Sequence, residues 1–279
     1  MDADILLCSD LDRTILPNGP QPESPKARPR LRRLAERPEV TLVYVSGRDE
    51  VLLKEAIREF EIPLPDFAIG DVGTTLYAVE GRRWQAWEAW REEIAPDWGG
   101  LDHAALADLV AEVPGLTLQE PEKQNAFKLS YYAPRKTETG TLLESTRRRL
   151  RAHGVRASLI WSIDEVAQVG LVDVIPASAT KVHAIRFLMR TKGFTLARTV
   201  FAGDSGNDLP ALTSELQAVL VRNAAEEVRA RALREAEAAG HADRLYLARG
   251  GFLGMNGNYA AGVLEGLAHY LPETARWMR

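Results

Sequence analysis

The sequence predicts an α/β protein: a doubly wound core built on a parallel sheet and interrupted by an inserted α/β domain. Short apolar runs that are typical of buried strands alternate with helical stretches, as in parallel sheets covered by helices on both faces. Acidic segments follow two of these runs, and open α/β folds place their ligands at the carboxyl ends of their strands. We expect a catalytic core of residues 1–80 and 175–279 and an insertion of residues 81–174.

Hydrophobic periodicity and turn residues place the elements of this core. Ahead of the insertion, the pattern predicts strands at residues 5–8, 40–45, 67–69 and 74–79 and helices at residues 26–37 and 49–60. An apolar run at residues 171–175 is interpreted as a strand at the return to the core. Further strands are predicted at residues 199–202, 218–221 and 245–248, and helices at residues 180–192, 208–212, 225–239 and 258–270.

The insertion has α/β elements of its own. The pattern predicts strands at residues 127–132 and 155–161 and helices at residues 103–113 and 138–153. Trp84, Trp87 and Trp90 recur at the spacing of one helical face, and we expect this face to pack on the sheet of the insertion; the alternative is a platform for a ligand.

The composition excludes several classes of function. A chain of 279 residues with 46% hydrophobic content can bury a large core, and a net charge of −4 argues against nucleic-acid binding. No apolar run approaches the roughly 20 residues of a membrane span, and no signal peptide opens the chain. The single cysteine, Cys8, excludes an internal disulfide, so we expect a cytoplasmic protein, with a monomer as the simplest assembly.

Two carboxylates follow the first apolar run, at Asp10 and Asp12, with a hydroxyl at Thr14. Acids at the end of a buried strand indicate a catalytic strand end. The alternative is a solvated turn, because Asp and Thr both favour turns and helix caps. The segment 10–14 taken alone does not decide between these two interpretations.

A second acidic segment, residues 203–208, follows the strand predicted at 199–202. Magnesium prefers carboxylate oxygens, so Asp10 and Asp204 from adjacent strands could hold Mg²⁺ while a substrate phosphate completes its shell. A calcium loop is disfavoured, because the segment lacks alternating acids followed by a distant Glu. Ser46 and Gly47, at the start of a helix, and the cation of Lys181 would then face the phosphate.

These residues carry a resemblance to the phosphatases of the haloacid dehalogenase superfamily. The segment 10–14, Ser46-Gly47-Arg48, Lys181 and the segment 203–208 occur in the order of the four motifs of that superfamily. The insertion between the second and third motifs is similar to the α/β cap of the subgroup that includes sucrose-phosphate phosphatase. Val72-Gly73-Thr74 and the segments 127–132 and 260–266 extend the similarity over nearly the whole chain.

The resemblance implies a Rossmann-like core of haloacid dehalogenase type, an aspartyl-phosphate mechanism and Mg²⁺ as cofactor. Asp10 would be the nucleophile, Asp12 the acid and then the base, and Lys181 the catalytic cation. The metal site would comprise Asp10, Asp12 through its backbone carbonyl, Asp204 and, outside the direct ligands, Asp208. The phosphate would contact Asp10, Ser46, Gly47, Lys181 and Asn207.

Two positions depart from the pattern of the superfamily. Arg13 stands where many relatives have Gly or Asn, and Val182 follows Lys181 where relatives often have Gly. We expect the side chain of Arg13 to point into solvent; the alternative is that it reaches the substrate entrance and touches a hydroxyl or a second anionic group.

Sugar recognition is assigned to the cap and the entrance of the site. The candidate contacts are Arg48, Gln124, Asn125, Lys128, Ser130 and Asp164. Strand alternation predicts that Lys128 and Ser130 share one face, opposite Leu129 and Tyr131.

The expected activity is hydrolysis of a phosphorylated disaccharide, with sucrose 6-phosphate as the leading candidate and mannosylfructose phosphate or a glycosylglycerol phosphate as alternatives. Two further classes stay open at this point. One is a non-catalytic phosphosugar-binding partner of a glycosyltransferase, and the other is a phosphotransferase or mutase that uses the same aspartyl-phosphate.

Overall fold

The computed structural model describes residues 4–164 and 167–279. The chain divides into two compact units, of which the first combines Met1–Ala86 with Lys181–Arg279 and the second is Trp87–Thr180. The second unit thus begins and ends six residues later than the insertion expected from the sequence.

The described residues form twelve strands and nine α-helices. The strands are β1 (Ile5–Ser9), β2 (Val40–Val45), β3 (Phe67–Gly70), β4 (Thr75–Glu80), β5 (Arg83–Ala86), β6 (Thr117–Leu118), β7 (Leu129–Pro134), β8 (Ala157–Asp164), β9 (Val169–Pro176), β10 (Thr199–Gly203), β11 (Gln217–Leu220) and β12 (Leu245–Leu247). The helices are α1 (Ala27–Ala35), α2 (Glu50–Glu59), α3 (Glu88–Ile94), α4 (His103–Ala111), α5 (Thr139–Ala152), α6 (Lys181–Lys192), α7 (Leu209–Leu212), α8 (Glu226–Ala238) and α9 (Ala260–Tyr270).

The first unit is built on an eight-stranded sheet in the order β12-β11-β10-β1-β2-β3-β4-β5. The pairs from β12 to β3 are parallel, and β4 and β5 are added antiparallel. Every element predicted for this unit outside the insertion is present, with ends that differ by at most two residues. The predicted α/β class with a doubly wound parallel core is confirmed.

The central strand β1 is buried on both faces. Ile5 and Leu7 belong to the cluster that α1 and α9 cover, whereas Leu6 and Cys8 lie on the opposite face, and all four are 0% exposed. A strand of this kind has no polar face, which explains its continuous apolar sequence. Among the described residues, no helix is long and apolar enough to cross a membrane.

Helix α9 packs so closely on β11 that glycine is required at its contact. A Cβ atom at Gly266 would lie 2.2 Å from Cγ2 and 2.4 Å from Cγ1 of Val219. We expect Gly266→Ala to lower the free energy of unfolding by about 1–3 kcal/mol, measured by urea denaturation, because the stiff valine cannot move aside.

Gly140→Ala in α5 is the matched control, because a Cβ there would meet no atom within 4 Å. This control should leave the free energy of unfolding unchanged or raise it slightly, since alanine favours the helix. An unchanged Gly266→Ala variant would contradict the close packing of α9 on β11.

The second unit carries a four-stranded antiparallel sheet in the order β6-β7-β9-β8. Leu129 and Tyr131 of β7 face its apolar core with Trp98 and Val172, as strand alternation predicts. The prediction that residues 171–175 form a strand of the core is wrong, because β9 pairs with β7 and β8. A short apolar run cannot by itself distinguish an inner antiparallel strand from a parallel one.

The predicted helical face of three tryptophans is also wrong. Trp84 lies in β5, which pairs with β4 through a tight turn at Gly81, whose φ is +59°. Trp87 precedes α3, and only Trp90 lies inside that helix, where it is fully buried. The cross-strand pairing of the hairpin overrides a spacing that also suits a helix.

Candidate active site

The two acidic segments meet at one edge of the parallel sheet. Strand β1 lies between β10 and β2, with Ser9 in register with Ala202 and with Tyr44. The residues that follow these strands, Asp10, Asp204 and Ser46, therefore leave the sheet at the same carboxyl edge. Asp10 is held there by its own N–H, which donates to the carbonyl of Ala202 at 2.9 Å.

Lys181 joins two buried carboxylates. Its Nζ donates to Oδ1 of Asp10 and to Oδ1 of Asp208, both at 2.7 Å. The other oxygen of Asp208 accepts from the backbone N–H groups of Asp204 and Ser205, both at 3.1 Å. Both oxygens of Asp208 thus accept hydrogen bonds, which hold Lys181 and the loop of residues 203–208 in position.

The loop requires glycine ahead of Asp204. A Cβ atom at Gly203 would lie 2.6 Å from Cγ of Asp208. Since Asp208 is fully buried and cannot move away, this close approach explains the glycine at the end of β10.

Thr14 bridges the carboxylates of Asp10 and Asp204. Its hydroxyl lies 3.3 Å from Oδ2 of Asp10 and 3.4 Å from Oδ1 of Asp204. Asp10 is 6% exposed and Asp204 is 4% exposed, whereas Thr14 is completely buried. The two acids expected to share a metal therefore present one oxygen each towards the same hydroxyl.

Burial and mutual repulsion disfavour the ionised form of these acids. Burial raises the pKa of Asp10 to about 7, although Lys181 opposes the shift. Burial and the charge of Asp208 raise the pKa of Asp204 to about 6. Burial acts to lower the pKa of Lys181, but the charges of Asp208 and Asp10 outweigh it and raise that pKa.

The donor set fits a hard divalent cation. Asp10, Asp204 and Asp208 each offer a carboxylate oxygen, and these atoms lie within 4.8 Å of one another. Oxygen ligands of this kind suit Mg²⁺. Since both oxygens of Asp208 already accept hydrogen bonds, Asp10 and Asp204 are the residues that could ligate directly, with Asp208 as a positioning residue.

Asp12 faces a different set of partners. Arg48 donates to its two oxygens, at 2.9 Å from Nε and 2.7 Å from Nη2, and Asn18 donates to Oδ1 at 2.7 Å. Burial acts to raise the pKa of Asp12, but the hydrogen bonds and charge of Arg48 hold it below its usual value. The carboxylate of Asp12 is outside the group formed by Asp10, Asp204 and Asp208, and its ion-pair partner is Arg48. The expected contact of Arg48 with the sugar stays a prediction.

The predicted phosphate contacts lie on two loops of the same sheet edge. Ser46 follows β2 and is 3% exposed, and its Oγ accepts from the N–H of Arg48 at 3.2 Å. Gly47 precedes α2, which Asp49 caps by accepting from Leu52 N at 2.9 Å. Asn207 is exposed, and its Oδ1 accepts from the hydroxyl of Ser205 at 2.5 Å.

Arg13 does not point simply into solvent, so that expectation is wrong. Its Nε lies 3.4 Å from Oδ2 of Asp204, while 43% of its side chain is exposed. Its backbone has a φ of +60° and is held from both sides, by Oδ1 of Asn18 at 2.8 Å and Nδ2 of Asn223 at 2.6 Å. Asn223 also accepts from the N–H of Tyr259 at 2.7 Å.

The polar candidates of the second unit differ in how they are used. Gln124 donates to the carbonyls of Gln119 and Ser130 and accepts from Ser130 N, and buried Ser130 donates to Asp173 at 2.5 Å. These two side chains therefore serve the framework of their own unit. Asn125 accepts from Phe127 N and Asp164 accepts from Ala167 N, while Lys128 is half-buried.

Sequence reasoning gave no role to Thr14, Asn18 or Asn223. Thr14 could have been found, because it lies four residues after Asp10 in the same short polar segment. Asn18 and Asn223 carry no sequence signal, since their contacts to Asp12 and Arg13 arise only from the fold.

Comparisons with known proteins show the family of the chain. The family model described as sucrose-6F-phosphate phosphohydrolase matches residues 3–271. The chain belongs to this family. It is therefore a phosphatase, a phosphoric monoester hydrolase, which disfavours the non-catalytic and phosphotransferase alternatives.

Two relatives of the chain are named as a hydrolase and a sugar-phosphate phosphatase. A protein of Nitrosococcus oceani, named only as a HAD-like hydrolase, is 60% identical over all of this chain and 75% of its own length. The mannosylfructose-phosphate phosphatase of Agrobacterium fabrum is 28% identical over 95% of this chain and 96% of its own length.

A solved structure shares the fold. The sucrose-phosphatase of Synechocystis, solved with sucrose and phosphate, matches with a TM-score of 0.69 at 24% identity. The match covers 96% of this chain and 98% of the other. The predicted membership of the haloacid dehalogenase superfamily is confirmed.

Proposed function

We propose that the protein is a Mg²⁺-dependent phosphatase that hydrolyses a phosphorylated disaccharide through an aspartyl-phosphate on Asp10. The observation that carries the proposal is the pairing of Asp10 with Lys181 at 2.7 Å beside the carboxylate of Asp204. A buried acid with a fixed cation and a neighbouring metal ligand suits nucleophilic attack on phosphorus.

The reaction divides into two displacements at phosphorus. In the first, a carboxylate oxygen of Asp10 forms the new bond, the phosphorus–sugar oxygen bond breaks, and Asp12 gives its proton to the leaving oxygen. In the second, water attacks the phosphoryl group, Asp12 takes its proton, and the bond from phosphorus to Asp10 breaks. Mg²⁺, bound by Asp10 and Asp204, would neutralise charge on the transferred phosphoryl group.

Arg48 determines the protonation state of Asp12 before the reaction begins. The paired carboxylate is ionised at neutral pH because Arg48 keeps its pKa low. Asp12 in this state is ready to act as the base of the second displacement. For the first displacement it must acquire a proton, which weakens its ion pair with Arg48.

The leading substrate is sucrose 6-phosphate, and the alternative is mannosylfructose phosphate. The family description supports the first, and the mannosylfructose-phosphate phosphatase of Agrobacterium fabrum supports the second. We assign selection of the sugar to the second unit, with Lys128, Asn125 and Asp164 as its candidate contacts. We also place the enzyme in the cytoplasm, where the lone buried Cys8 would stay reduced.

A substrate panel tests the proposal directly. Phosphate release should be measured with sucrose 6-phosphate, mannosylfructose phosphate, a glucosylglycerol phosphate and hexose monophosphates. We expect kcat/KM to be about 100-fold higher for one phosphorylated disaccharide than for the hexose phosphates, because sites that hydrogen-bond a substrate reject analogues lacking those groups. Equal rates throughout the panel would overturn the assignment to disaccharides.

Removal of the metal provides an independent test. We expect a chelator to lower phosphate release by about a thousandfold, because a bound divalent cation supplies several kcal/mol of charge stabilisation. Added Mg²⁺ should restore the rate. Activity that persists after exhaustive chelation would contradict the role of Asp10 and Asp204 as metal ligands.

A further inference from the structure

We propose that the guanidinium of Arg13 acts as the counter-cation of Asp204 and competes with Mg²⁺ for that carboxylate, so that it weakens magnesium binding. The inference rests on the magnesium site of the proposed function. It concerns a residue for which the resemblance to the superfamily offers no role, since the usual residue at this position is small and uncharged.

The backbone at Arg13 favours a different residue. A φ of +60° is a left-handed conformation that glycine and asparagine adopt at low cost and that longer side chains disfavour. Hydrogen bonds from both sides fix this conformation, with Asn18 accepting from Arg13 N and Asn223 donating to Arg13 O. An arginine at this position therefore carries a backbone cost that glycine or asparagine would largely avoid.

The side chain reaches the metal-binding carboxylate. Nε of Arg13 lies 3.4 Å from Oδ2 of Asp204, which is 4% exposed. That nitrogen is itself buried and makes no hydrogen bond within the described part of the chain. The rest of the group extends outwards, with 43% of the side chain exposed, so it can turn into water without breaking a hydrogen bond.

The charges of the site divide into two sets. Nζ of Lys181 lies 2.7 Å from one carboxylate oxygen of Asp10 and 2.7 Å from one of Asp208, and only 16% of the Lys181 side chain is exposed. Arg13 pairs with Asp204, to which Lys181 forms no hydrogen bond among the described residues. A divalent cation on Asp204 would therefore meet a positive charge already directed at the same carboxylate, and its binding must displace or oppose that charge.

The test is calorimetric titration with MgCl₂ alone. Arg13→Gln removes the charge and keeps the backbone strain, whereas Arg13→Asn removes the charge and suits the left-handed backbone. We expect the Kd for Mg²⁺ to fall about tenfold in both variants, because a partly exposed charge near the ion is only partly screened. The matched control is Arg58→Gln in α2, an exposed arginine whose loss should leave the Kd unchanged.

Thermal unfolding gives a second readout. Without Mg²⁺, Arg13→Gln should melt below the wild type, because Asp204 has lost its cation. With saturating Mg²⁺ the two proteins should melt at similar temperatures, since the bound ion then neutralises the negative charge of Asp204.

Each other outcome has a definite meaning. Equal Kd values in all variants, weaker binding in Arg13→Gln, or a gain confined to Arg13→Asn would overturn the competition. Absence of Mg²⁺ binding in the wild type would instead overturn the proposed metal site, and this inference with it.

Discussion

The Asp10→Asn variant should fold like the wild type and hydrolyse its phosphate ester at least about 10⁴-fold more slowly. An amide is a poor nucleophile towards phosphorus and a poor ligand for Mg²⁺, so the change removes both functions that we propose for Asp10 at nearly constant volume. Phosphate release under saturating substrate and Mg²⁺ measures the loss. A variant that keeps more than about a tenth of the rate would show that Asp10 is not the nucleophile.

The fold of this variant should survive because its neighbours can adapt. Lys181 keeps Asp208 as partner at 2.7 Å, and the hydroxyl of Thr14 can accept from the new amide while donating to Asp204. The pKa of Asp10 is raised to about 7, so its ionised form costs stability above that pH, and the cost is relieved as the pH falls. At pH 8, a neutral amide should therefore leave the melting temperature unchanged or raise it.

The Lys181→Met variant should lose both stability and activity. Methionine has a similar length but leaves Asp10 and Asp208 without the cation that each contacts at 2.7 Å. Removing one partner of a buried ion pair costs about 3–5 kcal/mol, which urea denaturation would measure as a lower free energy of unfolding. Turnover should fall by about 10³, because the variant lacks the charge that we propose to face the transferred phosphoryl group.

Lys54→Met is the matched control for the loss of a lysine charge. Lys54 pairs with Glu50 within α2, and both side chains are more than a third exposed, at 43% and 37%. This change should cost less than about 1 kcal/mol, as expected for a surface pair. If Lys181→Met is no more damaging than Lys54→Met, the buried pairs do not stabilise the site. Lys181→Arg, which keeps the charge, should recover stability better than activity.

The parts of the site that the sequence could predict are those that lie directly at strand ends. Asp10, Ser46 and Asp204 each follow an apolar run, and parallel strands bring such positions to one edge of the sheet. The order of motifs predicts Lys181 as a site residue, and its Nζ lies 2.7 Å from Oδ1 of Asp10. The same reasoning recovers the core, because buried parallel strands and their covering helices have distinct patterns.

The parts that could not be predicted depend on contacts between distant residues. Arg48 and Asp12 are separated by 36 positions, and their bidentate pairing arises only when β1 and β2 lie side by side. Polar residues of the insertion present a different difficulty. Gln124 and Ser130 are polar residues of the kind that bind sugars. Nothing in the sequence indicates that the side chain of Gln124 forms hydrogen bonds with the backbone of Ser130.

Asn223 links the loop that follows β1 to Tyr259, the residue that precedes α9. It donates to Arg13 and accepts from Tyr259, whose own φ is +52°. Segments from opposite ends of the chain are thus fastened to each other through one amide. Transfer of the four motifs to another scaffold would leave out Asn223 and its hydrogen bonds. The loop after β1 would then lack a contact that fixes its backbone, so the four motifs alone are not sufficient to rebuild the site.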